Sequence, residues 1–534
     1  MKDQILTLHG ADPSSSRPRF QTLDQLITHA GLEFNNKQAW FFELSQQSIT
    51  FAEIANLVPR IAQSLDDYGV EKDRPVGLIT ENTLEFPLAW LALAWLGVPM
   101  VPINNKYGVT DASHLIADAG ISIVIGTGKF EDFIKSINPG SDQKFINAES
   151  LIKESVEKKK ISAAADSSSL ANIQFTSGTT GKPKGCMLGH DYWLQIAHAL
   201  TTEFPNISSD DVMLTAQPFH YIDPQWNLIT SLLSGAKLVV LDGFHPSTFW
   251  ERVRHYEVTY FYCLGMMPNL LLQMPNDPDE KNHSVRAIEA SAISKSIHSD
   301  LNKRWGVGWF EAFGMTETGA DIFVDELEGD KLVGSGCIGR PRNHRQVKIV
   351  GEDGQTLGPN AVGKLMIRGP GMARGYFNNK EATESAFKDG WFDTGDLASI
   401  DSSGRLYHRG RTKDMIRRSG ENISAVEVES VINQHPSVAL SGVIPVKDEL
   451  REEEVYAIVK TSEGVENQES FLSELREFCL EKLAAFKVPR YWKIVNDIPL
   501  TASERVSKDR LKSESFIQDV WDSKTQERVG RVEV

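Results

Sequence analysis

Several features that define other protein classes are missing from this chain of 534 residues, and each absence narrows its function. There are four cysteines, Cys186, Cys263, Cys337 and Cys479, and no pair has C-x-x-C spacing. Neither a disulfide framework nor a zinc site is predicted, and a reducing, cytoplasmic setting is expected. Positive charge is in deficit: 56 Lys and Arg against 72 Asp and Glu give a formal net charge of -16. A nucleic-acid surface is therefore not expected, and any anionic substrate depends on a local basic pocket. The apolar run at residues 86–103 is broken by Pro87, Gly97, Pro99 and Pro102, so it reads as a buried helix and strand and not as a membrane span. No apolar signal core precedes the polar run at 12–17, so export is not expected. A P-loop and internal repeats are also absent.

The densest functional signal is the stretch 175–185, Phe-Thr-Ser-Gly-Thr-Thr-Gly-Lys-Pro-Lys-Gly. Its glycines allow tight turns and close backbone approach to a ligand, its hydroxyls can donate to phosphate oxygens, and Lys182 and Lys184 supply charge. That composition suits a polyphosphate. The spacing from Gly178 to Gly181 is too short for G-x-x-x-x-G-K-[ST], and Pro183 stands where the magnesium-binding hydroxyl would be, so a different nucleotide-binding scheme is needed.

With 41% hydrophobic residues the chain can bury large cores, and its periodicity predicts an α/β protein. Leu23, Leu26 and Ile27, then Phe51, Ile54, Val58, Ile61 and Leu65, have helical spacing. Strands at 75–79, 100–103 and 121–125 alternate with helices at 86–96 and 112–119, giving a first α/β subdomain. A charged, then Ser- and Ala-rich stretch at 152–169 reads as a surface linker into a strand at 171–174 that presents the glycine-rich loop. That strand, a helix at 191–201 and strands at 212–214, 237–241 and 258–263 are assigned to a second α/β subdomain. Beyond Gly336, short strands at 347–350 and 363–369 predict a small β-rich subdomain. The Gly- and Arg-rich run 404–415, a helix at 426–433 and strands at 441–444 and 454–460 predict a small α+β C-terminal domain. The division is placed between 1–410 and 411–534.

Four further stretches follow the loop in order: Phe313-Gly314-Met315-Thr316-Glu317-Thr318, then residues 390–396 (Gly-Trp-Phe-Asp-Thr-Gly-Asp), then residues 410–422, then Lys487-Val488-Pro489. With the loop, they resemble the adenylate-forming superfamily of acyl-CoA ligases, luciferases and peptide-synthetase adenylation domains over nearly the whole chain. The run Arg-Arg-Ser-Gly-Glu-Asn-Ile-Ser at 417–424, Phe486-Lys487-Val488-Pro489 and Ile222-Asp223 look most like crotonobetaine/carnitine-CoA ligases. The resemblance implies an AMP-binding domain over 1–410, a mobile lid over 411–534, and a requirement for ATP, Mg2+ and coenzyme A. A carboxylate would attack the α-phosphorus of ATP to give acyl-adenylate and pyrophosphate, and a thiol would then displace AMP.

The same resemblance assigns roles. Thr176, Ser177, Thr179, Thr180 and Lys184, with Gly178 and Gly181, would hold the β- and γ-phosphates. Phe313 and Gly314 would lie against adenine, Thr316 would contact the α-phosphate, and Glu317 would hold magnesium. Asp396 would receive the ribose hydroxyls, because a carboxylate offers a diol two acceptors, with Arg411 beside it. Lys413 falls at the hinge, and Ser419, Gly420 and Glu421 would face coenzyme A.

Three departures bear on function. Where the superfamily has an adenylation lysine after glycine, this chain has Glu504-Arg505, with Lys508 one helical turn later. Arginine keeps the charge in a larger, planar head. Arg505 acting directly, Lys508 reaching in, or weak adenylation beside a working thioester half-reaction all remain open. Tyr221, not His220, takes the histidine place of the acyl wall, and Glu289-Ala290-Ser291-Ala292-Ile293 replaces a Gly-Gly-Ala run beside adenine. Expected acyl-pocket residues are Tyr221, Asp223, Trp226, Tyr262, Met266 and Met267. Asp223 with the aromatics could hold the quaternary ammonium of a betaine. A plain small acid, acyl loading of a carrier protein, and nucleotide binding without turnover are the competing readings, and a homodimer is left open.

Overall fold

The computed structural model describes residues 7–10, 17–137, 143–176, 183–419, 421–462, 464–465, 467–500 and 506–534. Its strands form three sheets. The first takes the order Lys144–Asn147, Ile123–Gly126, Val76–Ile79, Met100–Pro102, Leu170–Thr176, Lys184–Gly189, parallel except for the last pair. Helix Glu85–Leu96 belongs to this unit. It is apolar on every side and buried from Phe86 to Leu96, as a helix enclosed by other elements must be, and it ends at Gly97 in the left-handed region (φ 71°).

The loop-bearing strand Leu170–Thr176 pairs with Met100–Pro102, so it belongs to the first sheet and not, as expected, to the second α/β unit. The reason is long-range. Asn172, buried in that strand, accepts from the indole of Trp90 on the enclosed helix at 2.8 Å, a contact that chain order does not reveal. The predicted linker at 152–169 also begins inside a helix, Ala148–Ser155, and its later part is pinned by Ala164 N donating to the Trp95 carbonyl at 3.0 Å.

The second sheet is continuous over fifteen strands. Its parallel core runs Gln38–Phe42, Lys237–Val240, Val212–Thr215, Tyr260–Cys263, Ala287–Ala290, Trp309–Met315. Beyond Trp309–Met315 it becomes antiparallel through Gly319–Phe323 and Cys337–Pro341 into the β-rich part predicted after Gly336. Strands Gln38–Phe42 and Gln47–Thr50, which were not expected, lie between the two stretches of helical spacing. The first is too short to carry a clear period, and its parallel partner lies far downstream. Thr50 then starts helix Phe51–Asp67 with a reciprocal capping box to Glu53.

The third sheet draws all seven strands from Met415 onward, ending with Glu527–Arg531, and has its own apolar cores. Among the described residues, no helix is long and apolar enough to cross a membrane.

Candidate active site

A cavity of about 620 Å³ is lined by residues of the first and second sheets and by residues 411–413, which lead into the third. From the first sheet, the hairpin Leu170–Thr176/Lys184–Gly189 contributes Thr176 and Lys184, which are paired in register. The Thr176 hydroxyl donates to the Lys184 carbonyl at 3.4 Å, and the Lys184 ammonium stands 5.1 Å from the centre of the Tyr376 ring. Ser177, Gly178, Thr179, Thr180 and Gly181, between these strands, lie outside the described residues.

The second sheet supplies the turn between Trp309–Met315 and Gly319–Phe323, and Phe313, Gly314, Thr316 and Glu317 all line the cavity. Gly314 is required by packing, since a Cβ there would sit 2.0 Å from the Gly319 carbonyl oxygen. The buried Glu317 accepts from the Tyr376 hydroxyl at 3.0 Å. Burial pushes its carboxyl up, opposed by Tyr376, Arg411 and Lys184. Asp396 is 2% exposed and stands opposite Arg411 in strand register. Arg411 Nε at 3.1 Å and His408 Nε2 at 3.2 Å both meet Asp396 Oδ1. The His408 ring lies 6.1 Å from that of Phe313; Phe313 lines the cavity, whereas Asp396 and His408 stand behind its lining. Arg411 and Lys413 complete that side from the strand end and the short turn Thr412–Asp414.

Of the expected acyl residues, Tyr221, Asp223, Trp226 and Tyr262 line the cavity, with Trp226 and Tyr262 edge to face at 5.3 Å. Met266 and Met267 do not line it. Met267 is turned into the second core, where its sulfur accepts from Leu264 N at 3.5 Å and Gln217 Nε2 at 3.6 Å. The turn bearing His220 and Tyr221 is fixed by buried amides. Gln225 Nε2 donates to the carbonyls of Phe219 (2.8 Å) and Tyr221 (2.9 Å), and Gln174 Nε2 donates to that of His220 (2.6 Å). With partners satisfied in this way, the network makes the wall stiff. Both His220 and Tyr221 line the cavity, and burial with Lys106 nearby lowers His220 to about 3, so it is neutral at physiological pH.

The remaining expected residues lie elsewhere. Lys508 opens the short helix Lys508–Leu511, and its ammonium is 3.1 Å from Glu429 and 3.8 Å from Asp414. It does not line the cavity. Ser419 and Glu421, around the turn between Met415–Arg418 and Glu421–Ser424, are also away from it. Gly420 and Arg505 lie outside the described residues.

Comparison with known proteins identifies the fold that carries this cavity. Residues 28–377 match the AMP-binding enzyme family, and residues 427–505 match the AMP-binding enzyme C-terminal domain. The chain belongs to the AMP-binding enzyme family. It is 30% identical to the crotonobetaine/carnitine–CoA ligase of Citrobacter koseri and 29% identical to that of Salmonella agona, each over 92% of this chain and 99% of the relative. Among solved structures, o-succinylbenzoate CoA synthetase of Bacillus subtilis with its acyl-adenylate OSB-AMP superposes at a TM-score of 0.82. It is 28% identical and covers 93% of this chain and 98% of its own. The same enzyme with ATP and magnesium gives a TM-score of 0.81 at 28% identity, covering 91% of this chain and 99% of its own.

This AMP-binding enzyme also has site residues that sequence reasoning passed over. Tyr376, partner of Glu317, carried no motif. His408 was hidden among the charged residues before Arg411. Glu311 is buried and accepts from the backbone of Ala292 (2.7 Å) and Ile293 (2.9 Å), with Ala292 at φ 65°. It thereby holds the turn that replaces the Gly-Gly-Ala run, and burial pushes its carboxyl up to about 8. Deeper still, Tyr260, Glu289 and Arg342 line the cavity together. The alternation Tyr260-x-Tyr262 was the available signal for that tier.

Proposed function

We propose that this enzyme couples ATP cleavage to formation of a coenzyme A thioester of a small carboxylic acid, working in the cytoplasm. The observation that carries this reading is one cavity shared by the Thr176/Lys184 hairpin, the turn with Thr316 and Glu317, Arg411 and an aromatic pocket beside them. In the first half-reaction a carboxylate oxygen bonds to the α-phosphorus as the bond to pyrophosphate breaks. In the second, the thiol sulfur bonds to the acyl carbon as AMP leaves.

Lys184, Thr176 and the adjoining loop would hold the β- and γ-phosphates and stabilise charge on the departing pyrophosphate. Thr316 would donate to the α-phosphate. Phe313 would face adenine, and Asp396 would receive the ribose hydroxyls while Arg411 and His408 hold its other oxygen. Glu317, a buried carboxylate between Lys184 and Arg411, fits a role as magnesium ligand, and the bound ion would neutralise phosphate charge. Since Lys508 is engaged with Glu429 and Asp414, Arg505 is assigned the adenylation role and Lys508 a supporting one. The chain would turn about Lys413 between half-reactions, bringing residues 419–421 to the thiol entry.

Asp223, near the N-terminal end of helix Ile222–Ser234, with Trp226, Tyr221 and Tyr262, favours an acid bearing a quaternary ammonium. The names of the curated relatives agree with this choice. The test is pyrophosphate release and thioester formation across betaines and plain short acids, with and without coenzyme A. Betaines are expected to give the highest kcat/KM with coenzyme A. Nucleotide binding without pyrophosphate release for every acid would overturn the ligase reading.

A further inference from the structure

Tyr260 and Tyr262 are two residues apart on one strand, as are Glu289 and Ser291 on the adjoining segment, so each pair faces the same side of the sheet. They form two tiers of the cavity wall. The upper tier is Tyr262 with Ser291, whose hydroxyls meet, and Ser291 also donates to the Ala312 carbonyl at 2.6 Å. The lower tier lies two residues deeper, about 6.6 Å at the usual strand rise. There the Tyr260 hydroxyl donates to Glu289 Oε2 at 2.7 Å and Arg342 Nη2 donates to Glu289 Oε1 at 3.0 Å. Arg342 is further fixed by donating to the Phe204 carbonyl at 2.9 Å and by lying 4.3 Å from the centre of the Phe323 ring. Both charged side chains are 2% exposed, yet both line the cavity. An ion pair this constrained cannot swing aside, because parting it would leave an uncompensated charge in a buried site.

We infer that the Glu289–Arg342 pair, with Tyr260, is the floor of the acyl pocket: it stops the substrate chain at the lower tier and favours an acid whose far end is polar over one ending in methyl. The inference rests on the acid-ligase reading above, with the carboxylate at the Thr316 end of the cavity. A methyl group brought to this tier meets fixed charges and gains little, whereas a hydroxyl or amide can hydrogen-bond to the carboxylate or guanidinium. An apolar pocket distinguishes one methylene by roughly 10- to 200-fold.

Two experiments test the floor. In the unaltered enzyme, straight-chain acids from butanoate to dodecanoate and their terminal hydroxy counterparts compete against the best acid of the substrate panel. Inhibition should fall at least about tenfold between consecutive lengths at one step, and near that length the hydroxy acid should outrank its methyl partner. In Glu289→Ser/Arg342→Leu, which removes both charges and shortens both side chains, the step should move to longer acids and the hydroxy preference should vanish. A smooth length profile with no hydroxy preference, no competition by any acid, or a profile unmoved in a folded double variant would overturn it. Failure of the ligase reading would show separately, as absence of pyrophosphate release with every acid.

Discussion

Glu311 carries a buried charge problem that can be measured. Its native carboxyl, raised to about 8 by burial, keeps its proton over an interval in which the unfolded chain, with an ordinary value of 4.5, has lost it. Stability contributed through this group therefore falls as pH rises from the lower value to the higher. The stability difference between the parent and Glu311→Gln, followed by chemical denaturation, should favour the parent most at pH 5 and decline toward pH 8. A pH-independent difference would refute it. Arg505 is the other residue with a sharp expectation. Arg505→Ala should lower the rate of pyrophosphate release by about 100- to 1,000-fold, the usual effect of removing one preorganised donor, with a smaller change in thioester formation from supplied acyl-adenylate. Equal loss in both steps would assign Arg505 to the whole cycle. The motif residues Thr176, Glu317 and Arg411 were legible in sequence because short-range chemistry constrains them. Tyr376 and Arg342 were not, since each becomes meaningful only beside a residue far away in the chain.

At the level of elements, the helix Ala425–Ile432 is tied to the turn Thr412–Asp414 and to helix Lys508–Leu511 through Glu429, Asp414 and Lys508. Glu429 also accepts from Val443 N at 2.8 Å, and burial pushes its carboxyl up while Lys508 pulls it down. Lys508→Ala removes the cation and should cost about 3 to 5 kcal/mol locally, lowering the melting temperature. Adding Glu429→Gln should recover part of the loss, because the buried carboxylate left behind causes most of it. A lone Lys508→Ala effect confined to pyrophosphate release, with unchanged melting, would instead place Lys508 in catalysis. Periodicity predicted helix Glu85–Leu96 and the strands around it, where an apolar run between prolines has few alternatives. It missed Gln38–Phe42 and misplaced Leu170–Thr176, because short strands take their identity from the neighbour they pair with.

For the molecule as a whole, the cavity is walled by two sheets and by the segment leading into the third. Lys413 lies in that segment, so restricting its backbone tests the proposed rotation, with Lys413→Ala as the control for loss of the side chain that lines the cavity. Lys413→Pro fixes φ near -65° and should reduce thioester formation about a hundredfold, the scale expected when reacting groups are misplaced, while ATP–pyrophosphate exchange persists. Loss of exchange to the same extent would show that the two half-reactions do not separate at this point.

The α/β class, the order of the motifs and membership of the AMP-binding enzyme family were legible from the residues alone, because phosphate-binding turns and buried apolar periods are written in residues close together in the chain. Packing between distant segments sets which sheet presents the glycine-rich loop, that Met267 belongs to a core and not to the acyl wall, and that Glu289 and Arg342 meet in the cavity lining. Each of those depends on packing between segments far apart in sequence, where burial and pairing, not local propensity, set what a side chain faces.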